Sequence, residues 1–435
     1  MNLQEQILRS EQLVKQLAEA INHRAIDLKQ AEQQILEHVN RIGQMLVDGL
    51  LEGVQEPVQE NRLLVGGEVA VFDGVRSLRF INRFGGQTVK RRRCYKYVNK
   101  PGGWYPLDER LGLDRCMGYS PLMSYLLALF GATESFERSS ELLGESLGFG
   151  VSGTAVQRNT EATGGRIDDM PYRMIPAQKR QEACEVMVVE IDGTMSPQIK
   201  EEQGISGRAS LKQPTEYKEC NLVVIDKHRE GRPMDRWIGA RYGPRQGFEE
   251  YVRRCGLQMG QLKARQVVFL GDGAKSNWEI QKTNFPEAVP ILDFYHAAEY
   301  LAAFCELLNN RQKATKRYKS WKTMLLEGEV LQVVAEMKDS LKELSDTHEG
   351  WGKINYYQNN IDRMNYREYR ERGFPIGSGI VEGSCKFVIG KRFKGSGMRW
   401  KKADNEKVLR VRLAKLNGLL PDYFTPKPQD WTLAA

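Results

Sequence analysis

The chain has 435 residues, of which 41% are hydrophobic and 28% are charged, and its net charge is +8. This length predicts two to four domains, and no apolar run approaches the roughly 20 residues of a membrane helix. The seven cysteines occur singly, without a Cys-x-x-Cys pair, so neither a disulfide framework nor a zinc site is expected. The basic balance favours a polyanionic partner.

Residues 1–62 are predicted to form a helical arm of two helices. Apolar residues recur there at spacings of three and four: Leu13, Leu17, Ile35, Val39, Ile42, Leu46 and Leu50. The spacing fits either packing against the body of the protein or a dimerisation helix, and it does not choose between them. The first residues lack the basic and then apolar profile of a signal peptide, which predicts a cytoplasmic location.

A small β module is predicted over residues 63–117, because apolar and polar residues alternate in Glu68–Phe72 and Ser77–Ile81. The basic run of this module is followed by Tyr95, Tyr97 and Trp104. Such a run is either a solvated face or a set of phosphate contacts. The candidate DNA-binding residues here are Arg91, Arg92 and Arg93.

Residues 118–178 have the outline of a helix-turn-helix, a motif that binds DNA through its second helix. An amphipathic helix over Ser135–Leu147 is followed by a glycine turn, and a second helix begins with Ser152 as its N-cap. Any pair of packed helices gives a similar outline. If the motif is a DNA reader, the residues that face the groove are Thr154, Gln157 and Arg158.

Three apolar runs within residues 179–300 end in aspartates. The strand Cys184–Ile191 is expected to end at Asp192, the strand Gln266–Leu270 leads into Asp272, and a third apolar run leads into Asp293. The order of strands and helices matches a ribonuclease H-like mixed sheet. In that layout the first and fourth strands are neighbours, which would bring Asp192 and Asp272 together.

A helical insertion is predicted over residues 301–372. Its segment Arg311–Lys322 holds six basic residues and no acid. This composition indicates a cationic face for a phosphate backbone, with a solvated helix as the alternative. Lys316 and Arg317 are the candidate contacts.

The last part of the predicted catalytic domain, residues 373–418, opens with a glycine and serine loop that places Glu382 in or near the first turn of a helix. Residues 386–402 then contain seven Lys or Arg and no acid, and a tail follows over residues 419–435. The candidate DNA contacts of this cluster are Lys386, Lys391, Arg392, Lys394 and Arg399.

Carboxylates from separate elements, next to basic surface, suit phosphoryl transfer with two Mg²⁺ or Mn²⁺ ions. Asp192, Asp272 and Glu382 are the candidate catalytic and metal-binding residues. Asp293 lies only 21 residues after Asp272, so either could be the second ligand. His296 is a candidate for orienting a carboxylate or contacting the scissile phosphate, and its alternative role is that of a buried histidine bonded to the backbone or to Asp293.

Over roughly residues 120–418 the chain resembles the DDE transposases of bacterial insertion sequences, in particular the ISKra group. The motifs that carry the resemblance are Asp192-Gly193, Gly271-Asp272-Gly273-Ala274, Asp293-Phe294-Tyr295-His296-Ala297, Gly377-Ser378-Gly379-Ile380-Val381-Glu382 and Gly397-Met398-Arg399-Trp400. The resemblance implies a ribonuclease H-like fold with a helical insertion, and Asp192, Asp272 and Glu382 as the catalytic triad. Asp293 and His296 match a (Cys/Asp)-x-x-His feature of related transposases, whereas the paired cysteines of many relatives are missing.

The activity implied is metal-dependent cleavage of transposon ends and strand transfer to target DNA. The partners are then double-stranded DNA, whose terminal inverted repeats would be bound through residues 119–175, and further copies of the chain in a synapse. The implied location is the cytoplasm of a bacterium, at the nucleoid. The alternatives are a catalytically inactive DNA-binding protein derived from a transposase and a structure-specific nuclease of the same fold.

Overall fold

The computed structural model describes residues 3–167, 182–200, 212–308, 311–342, 345, 347–426 and 429–433. These residues form two compact units, one with the residues up to Ile167 and from Arg410 onward, and one with the residues between. The protein is a mixed α/β protein with two five-stranded sheets. Parts of the predicted segments 118–178 and 179–300 lie outside the described residues.

The first unit contains the predicted helical arm, a β module and a group of helices. Its elements are α1 (Leu3–Asn22), α2 (Leu28–Gly53), β1 (Arg62–Val65), β2 (Glu68–Ile81), β3 (Gln87–Tyr97), β4 (Gly103–Trp104), α3 (Pro106–Leu111), α4 (Pro121–Gly131), α5 (Phe136–Leu147) and α6 (Gly153–Arg166). After the second unit the chain returns with α17 (Leu420–Tyr423) and β10 (Trp431–Leu433). The sheet is antiparallel throughout, in the order β10-β1-β2-β3-β4.

Serine caps set the starts of α4, α5 and α6 in the first unit. Ser120, Ser135 and Ser152 each accept a hydrogen bond from the backbone N–H three residues later, which satisfies a donor that the helix leaves open. The helix α5 ends at Gly148, whose φ of 75° lets the chain turn sharply into α6. The three helices share a core of Met123, Leu127, Leu143, Leu147, Val151 and Val156.

The second unit begins with a sheet and continues with helices. Its elements are β5 (Cys184–Ile199), β6 (Thr215–Arg229), β7 (Arg232–Tyr242), α7 (Phe248–Gln258), β8 (Ala264–Gly271), α8 (Lys275–Asn284), β9 (Val289–Leu292), α9 (Phe294–Glu306), α10 (Arg311–Leu326), α11 (Val330–Ser340), α12 (Gly350–Asn360), α13 (Tyr366–Glu371), α14 (Gly379–Ser384), a π-helical segment (Cys385–Gly390), α15 (Lys391–Phe393) and α16 (Lys402–Leu416), which begins in this unit.

The sheet of the second unit has the order β7-β6-β5-β8-β9. The strands β5, β6 and β7 pair antiparallel, whereas β8 and β9 run parallel to β5. The first strand therefore lies beside the fourth, as the sequence predicts. The segments 187–191 of β5 and 268–271 of β8 are fully buried, which explains the apolar runs there.

The predicted end of the first strand is wrong. The strand β5 does not stop at Asp192 but continues to Ile199, paired residue by residue with β6 down to Thr215. The β6 strand supplies a partner for every residue of this extension, so Gly193 and Thr194 remain extended instead of turning.

Among the described residues, no helix has the length and apolar character needed to cross a membrane.

Candidate active site

Asp192 and Asp272 lie at equivalent positions on neighbouring parallel strands. The register of β5 and β8 pairs Glu190 with Leu270, and each aspartate comes two residues later. Adjacent strands are about 4.8 Å apart. The sheet thus brings the two carboxylates to one edge, where α/β sheets commonly bind ligands.

The Asp272 carboxylate is held by the loop that follows β8. Its Oδ1 accepts hydrogen bonds from the Ala274 N–H at 2.9 Å and from the Asn277 side chain at 2.9 Å. The Tyr356 hydroxyl donates to the Asp272 backbone oxygen at 2.9 Å. Among the described residues, no hydrogen bond reaches Oδ2, so this oxygen is available to a ligand.

Gly273 is the residue that allows this loop to close against Tyr356. Its φ is +97°, and a Cβ atom there would lie 2.7 Å from the Tyr356 ring. That ring is stacked on Tyr300 at 3.8 Å between centroids, so it has little room to move aside. The loop geometry around Asp272 therefore requires glycine.

We expect Gly273→Ala to destabilise the protein by ~1–3 kcal/mol, because it adds both backbone strain and a clash. The matched control is Gly352→Ala, since Gly352 lies on the same helix as Tyr356 and nothing is within 4 Å of its added Cβ. Urea denaturation of both variants measures the effect. Equal stabilities for the two would show that the loop adapts to alanine.

Asp293 lies at the N-terminus of α9 and is fully buried. Its Oδ1 accepts from the His296 N–H at 2.7 Å, and its Oδ2 accepts from the Ser378 N–H. Burial works to raise the pKa of Asp293, but the hydrogen bonds from His296 and Ser378 outweigh it and hold the pKa below its usual value. This carboxylate ties the end of β9 to the loop before α14.

The His296 ring lies between two carboxylates. Its Nδ1 is 3.5 Å from Asp293 Oδ1 and 3.9 Å from Glu382 Oε1. The Asp293 carboxylate raises the pKa of His296 to about 9, so the ring carries a positive charge at neutral pH. The structure therefore brings His296 to Glu382, and it supports the contact with Asp293 that the sequence analysis offered as the alternative.

Glu382 reaches the site because α14 and the π-helical segment pack along β5. The Val381 N–H donates to Glu190 Oε2 at 2.8 Å, and Cys385 Sγ lies 3.3 Å from Asp192 Oδ2. Val381 and Cys385 are about one helical turn apart, and Glu190 and Asp192 lie on the same face of β5. The spacing on the helix therefore matches the spacing on the strand. Glu382 lies in the first turn of α14, as predicted, and its side chain is 39% exposed.

Glu190 is an acid of this site that the sequence analysis did not single out. Only 1% of it is exposed, and burial raises its pKa to about 8. Its Oε1 has no hydrogen-bond partner among the described residues. The signal was present in the sequence, because an acid interrupts an apolar strand two residues before Asp192 and so shares its face.

Metal-ligand atoms converge at one point of this edge. The donor atoms of Asp293, His296 and Glu382 all lie within 4.8 Å of one another. Carboxylate oxygens suit Mg²⁺ and Mn²⁺, and imidazole can bind Mn²⁺ once it is neutral. These three residues therefore fit a divalent cation. Among the described residues, Asp192 and Asp272 do not belong to this 4.8 Å group, although the sheet register places both at the same edge.

The basic candidates of the second unit differ in their surroundings. Arg392 is 1% exposed, with its guanidinium 4.8 Å from the centre of the Trp400 ring, so it packs in the interior. Lys394 donates to the Thr194 hydroxyl at 2.6 Å, beside β5. The candidates with exposed side chains are Lys316, Arg317, Lys386, Lys391, Lys394 and Arg399.

The candidates of the first unit also divide into exposed and packed residues. Arg92 pairs with Asp108 and lies over the Tyr105 ring at 3.9 Å, and Arg93 donates to the Tyr95 hydroxyl at 2.9 Å. These two arginines therefore stabilise the β module itself. Arg91 is exposed.

On α6 the candidate DNA contacts form a partly exposed face. Thr154 and Arg158 are exposed and lie one turn apart, so they share one side of the helix. Gln157 is half-buried and donates to Glu161 at 2.8 Å. Their contact with DNA remains a prediction.

The model of an uncharacterised protein family, UPF0236, matches residues 21–422 of the chain. The chain belongs to the UPF0236 family. A relative described as the UPF0236 protein in the vanSb 3′ region, from Streptococcus gallolyticus, is 22% identical over 404 residues, which cover 89% of this chain and 83% of that protein.

A structural likeness links the UPF0236 chain to the Drosophila P element transposase strand transfer complex. The match covers 68% of this chain and 78% of the other, with 12% identity and a TM-score of 0.29. At that TM-score the likeness carries no argument about fold or function. The case for a function of the UPF0236 chain therefore depends on its own residues.

Proposed function

We propose that this UPF0236 protein is a DDE transposase, which cleaves DNA at transposon ends and joins the freed 3′-hydroxyls to target DNA. The observation that supports the proposal is the register of β5 and β8, which sets Asp192 and Asp272 side by side at one end of the sheet, with Cys385 beside Asp192 and His296 between Asp293 and Glu382. Asp192, Asp272 and Glu382 come from three separate elements, as expected of a site for phosphoryl transfer. Asp293 beside them adds a further carboxylate, and the charged His296 lies between Asp293 and Glu382.

The arrangement of the sheet supports a ribonuclease H-like assignment for the second unit. Three antiparallel strands are followed by two parallel ones, and the first strand is central. In this arrangement the acid on the first strand and the acid after the fourth become neighbours. The helices between α9 and α14 would then be the insertion before the last acid.

Two divalent ions bound by these carboxylates would activate a water or 3′-hydroxyl nucleophile and stabilise the leaving oxygen. Asp192, Asp272 and Glu382 would hold the ions, with Asp293 as the alternative to Asp272. His296, charged through its pairing with Asp293, would orient Glu382 and offer a proton donor to a phosphate oxygen. The role of the protein residues is thus to concentrate negative charge at one point of a basic surface.

Exposed lysines follow directly after Glu382 and would contact the DNA backbone. Lys386, Lys391 and Lys394 lie within twelve residues of the catalytic glutamate, on or beside the helical segments that pack on β5. The α6 helix of the first unit, with Thr154, Gln157 and Arg158, would read the terminal inverted repeats. Residues of each unit would thus contribute contacts to double-stranded DNA.

The decisive experiment incubates the purified protein with labelled DNA carrying the inverted repeats that flank its gene, in Mg²⁺, Mn²⁺ or EDTA. We expect metal-dependent nicking at the repeat boundary, and loss of at least ~100-fold in rate for Asp192→Asn, Asp272→Asn and Glu382→Gln. The matched control is Glu279→Gln on α8, an acid whose side chain is 64% exposed. It should cleave like the wild type.

Two outcomes would replace the proposal. Tight and specific binding of the repeats without cleavage in any metal would make the chain a DNA-binding derivative of a transposase. Cleavage of branched DNA without any joining would make it a structure-specific nuclease. Near-normal strand transfer by any of the three variants would refute the residue assignment.

A further inference from the structure

The N-terminal helices α1 and α2 carry an apolar face that the other described residues of their unit do not cover. Apart from Leu8, seven aliphatic side chains on them each leave between 38% and 68% of their surface exposed. They are Val14, Ile21, Leu28, Ile35, Val39, Leu46 and Leu50. A contiguous patch of this size on a folded domain usually marks an interaction site.

The inner face of α2 is a different stripe. Asn40, Gly43 and Leu51 are buried, and Gly43 packs so closely on Phe84 that a Cβ atom would lie 2.4 Å from the ring. Asn40 also donates to the Leu147 backbone oxygen at 2.7 Å. This face attaches α2 to the first unit, so the outer stripe is not needed for that packing.

The outer stripe of α2 has the spacing of a coiled coil. Ile35, Val39, Ile42 and Leu46 follow one another at intervals of four, three and four residues. Alternation of three and four keeps a seam on one side of a helix and lets it pack against a second helix. No charged residue lies within this part of the seam.

The α1 helix extends the same face. It lies against α2, with Ser10 Oγ 2.8 Å from His38 Nε2, and Leu17 of α1 and Ala31 of α2 are both buried. Val14 and Ile21 are seven residues apart, and the helical phase places them on the flank of α1 that adjoins the α2 seam. Both helices therefore present apolar side chains in one direction.

We propose that this face binds the same face of a second copy of the chain, with the two α2 helices antiparallel. The seam is self-complementary, as a two-fold interface requires. Ile35 and Leu46 are equally far from the point between Asn40 and Arg41, and so are Val39 and Ile42. An antiparallel pair thus sets Ile35 against the partner's Leu46 and Val39 against the partner's Ile42.

The exposed area agrees with a stable dimer. Seven large aliphatic side chains, each between 38% and 68% exposed, offer an apolar surface of the order of the ~800 Å² that each partner contributes to a standard interface. Two such hairpins together form a four-helix bundle, in which each helix buries its remaining apolar side. The inference concerns the first unit alone and does not depend on the proposed function.

The test measures the mass of the full chain in solution by sedimentation equilibrium, without DNA. We expect a dimer of the 49.7 kDa chain, and a rise of at least ~100-fold in the dimer Kd for the double variant Val39→Glu and Leu46→Glu. The matched control is Gln34→Glu, which adds a negative charge at an exposed polar position of the same helix. Circular dichroism shows that each variant retains its helices.

A monomeric wild type at tens of micromolar, or a double variant that dimerises like the wild type, would overturn the proposal. The first result would assign the face to another protein or to another part of the same chain. Orientation is tested by cysteine cross-linking. Ile35→Cys with Leu46→Cys should form an intermolecular disulfide, whereas efficient cross-linking of Leu46→Cys alone would contradict the antiparallel arrangement.

Discussion

Asp293→Ala is expected to destabilise the second unit by at least ~3 kcal/mol. The substitution leaves the half-buried N–H of His296 and the buried N–H of Ser378 without their acceptor, and it removes the partner of a charged imidazole. It also deletes the N-cap of α9. Urea denaturation in EDTA measures the loss without any contribution from bound metal.

Asp272→Asn is expected to have the opposite profile from Asp293→Ala, with little loss of stability and a complete loss of cleavage. Its amide oxygen can still accept the hydrogen bonds from Ala274 and Asn277, so the stability should change by less than ~1 kcal/mol. Cleavage should nevertheless be lost, because an amide does not balance the charge of a divalent ion. Full cleavage by Asp272→Asn would instead make Asp293 the metal ligand. Both oxygens of Asp293 already accept hydrogen bonds, so these bonds would have to rearrange when the metal binds.

The positions of three acids could be predicted from local sequence. Asp293 directly follows a short apolar run, Asp272 follows another after one glycine, and Glu382 follows a glycine and serine loop at the start of a helix. These patterns depend only on neighbouring residues, and the structure has the strand ends and the helix start at the expected places. The pairing of the first and fourth strands also followed from the order of elements alone.

Long-range pairing accounts for what could not be predicted. The strand β5 continues past Asp192 because β6 lies beside it, and a local pattern contains no information on that partner. In the same way, Arg92 and Arg392 read as members of basic surface clusters. Their partners Asp108 and Trp400 lie 16 and 8 residues further along the chain, so the local charge pattern does not indicate these contacts.

Glu190 is visible in the sequence as an acid within an apolar strand, but its pKa is set by residues that are distant in the sequence. Burial beneath α14 is the main reason for its raised pKa, and the nearby carboxylates of Asp226 and Asp293 add to it. In the folded protein the group holds its proton up to a pH of about 8, whereas the unfolded chain releases it near the ordinary value of 4.5. The folded state therefore binds more protons than the unfolded state between these two pH values, and stability falls as the pH rises through this window.

Glu190→Gln is expected to abolish this loss, because glutamine mimics the protonated acid at every pH. Relative to the variant, the wild type should lose ~3–4 kcal/mol of unfolding free energy between about pH 5 and pH 8, and no more above that range. The comparison is made by urea denaturation in EDTA at several pH values, with Glu279→Gln as a control that should follow the wild type. A difference between wild type and Glu190→Gln that does not change with pH would mean that Glu190 is already ionised in the folded protein. Its carboxylate would then belong with Asp192 and Asp272 among the charges that a divalent cation has to balance.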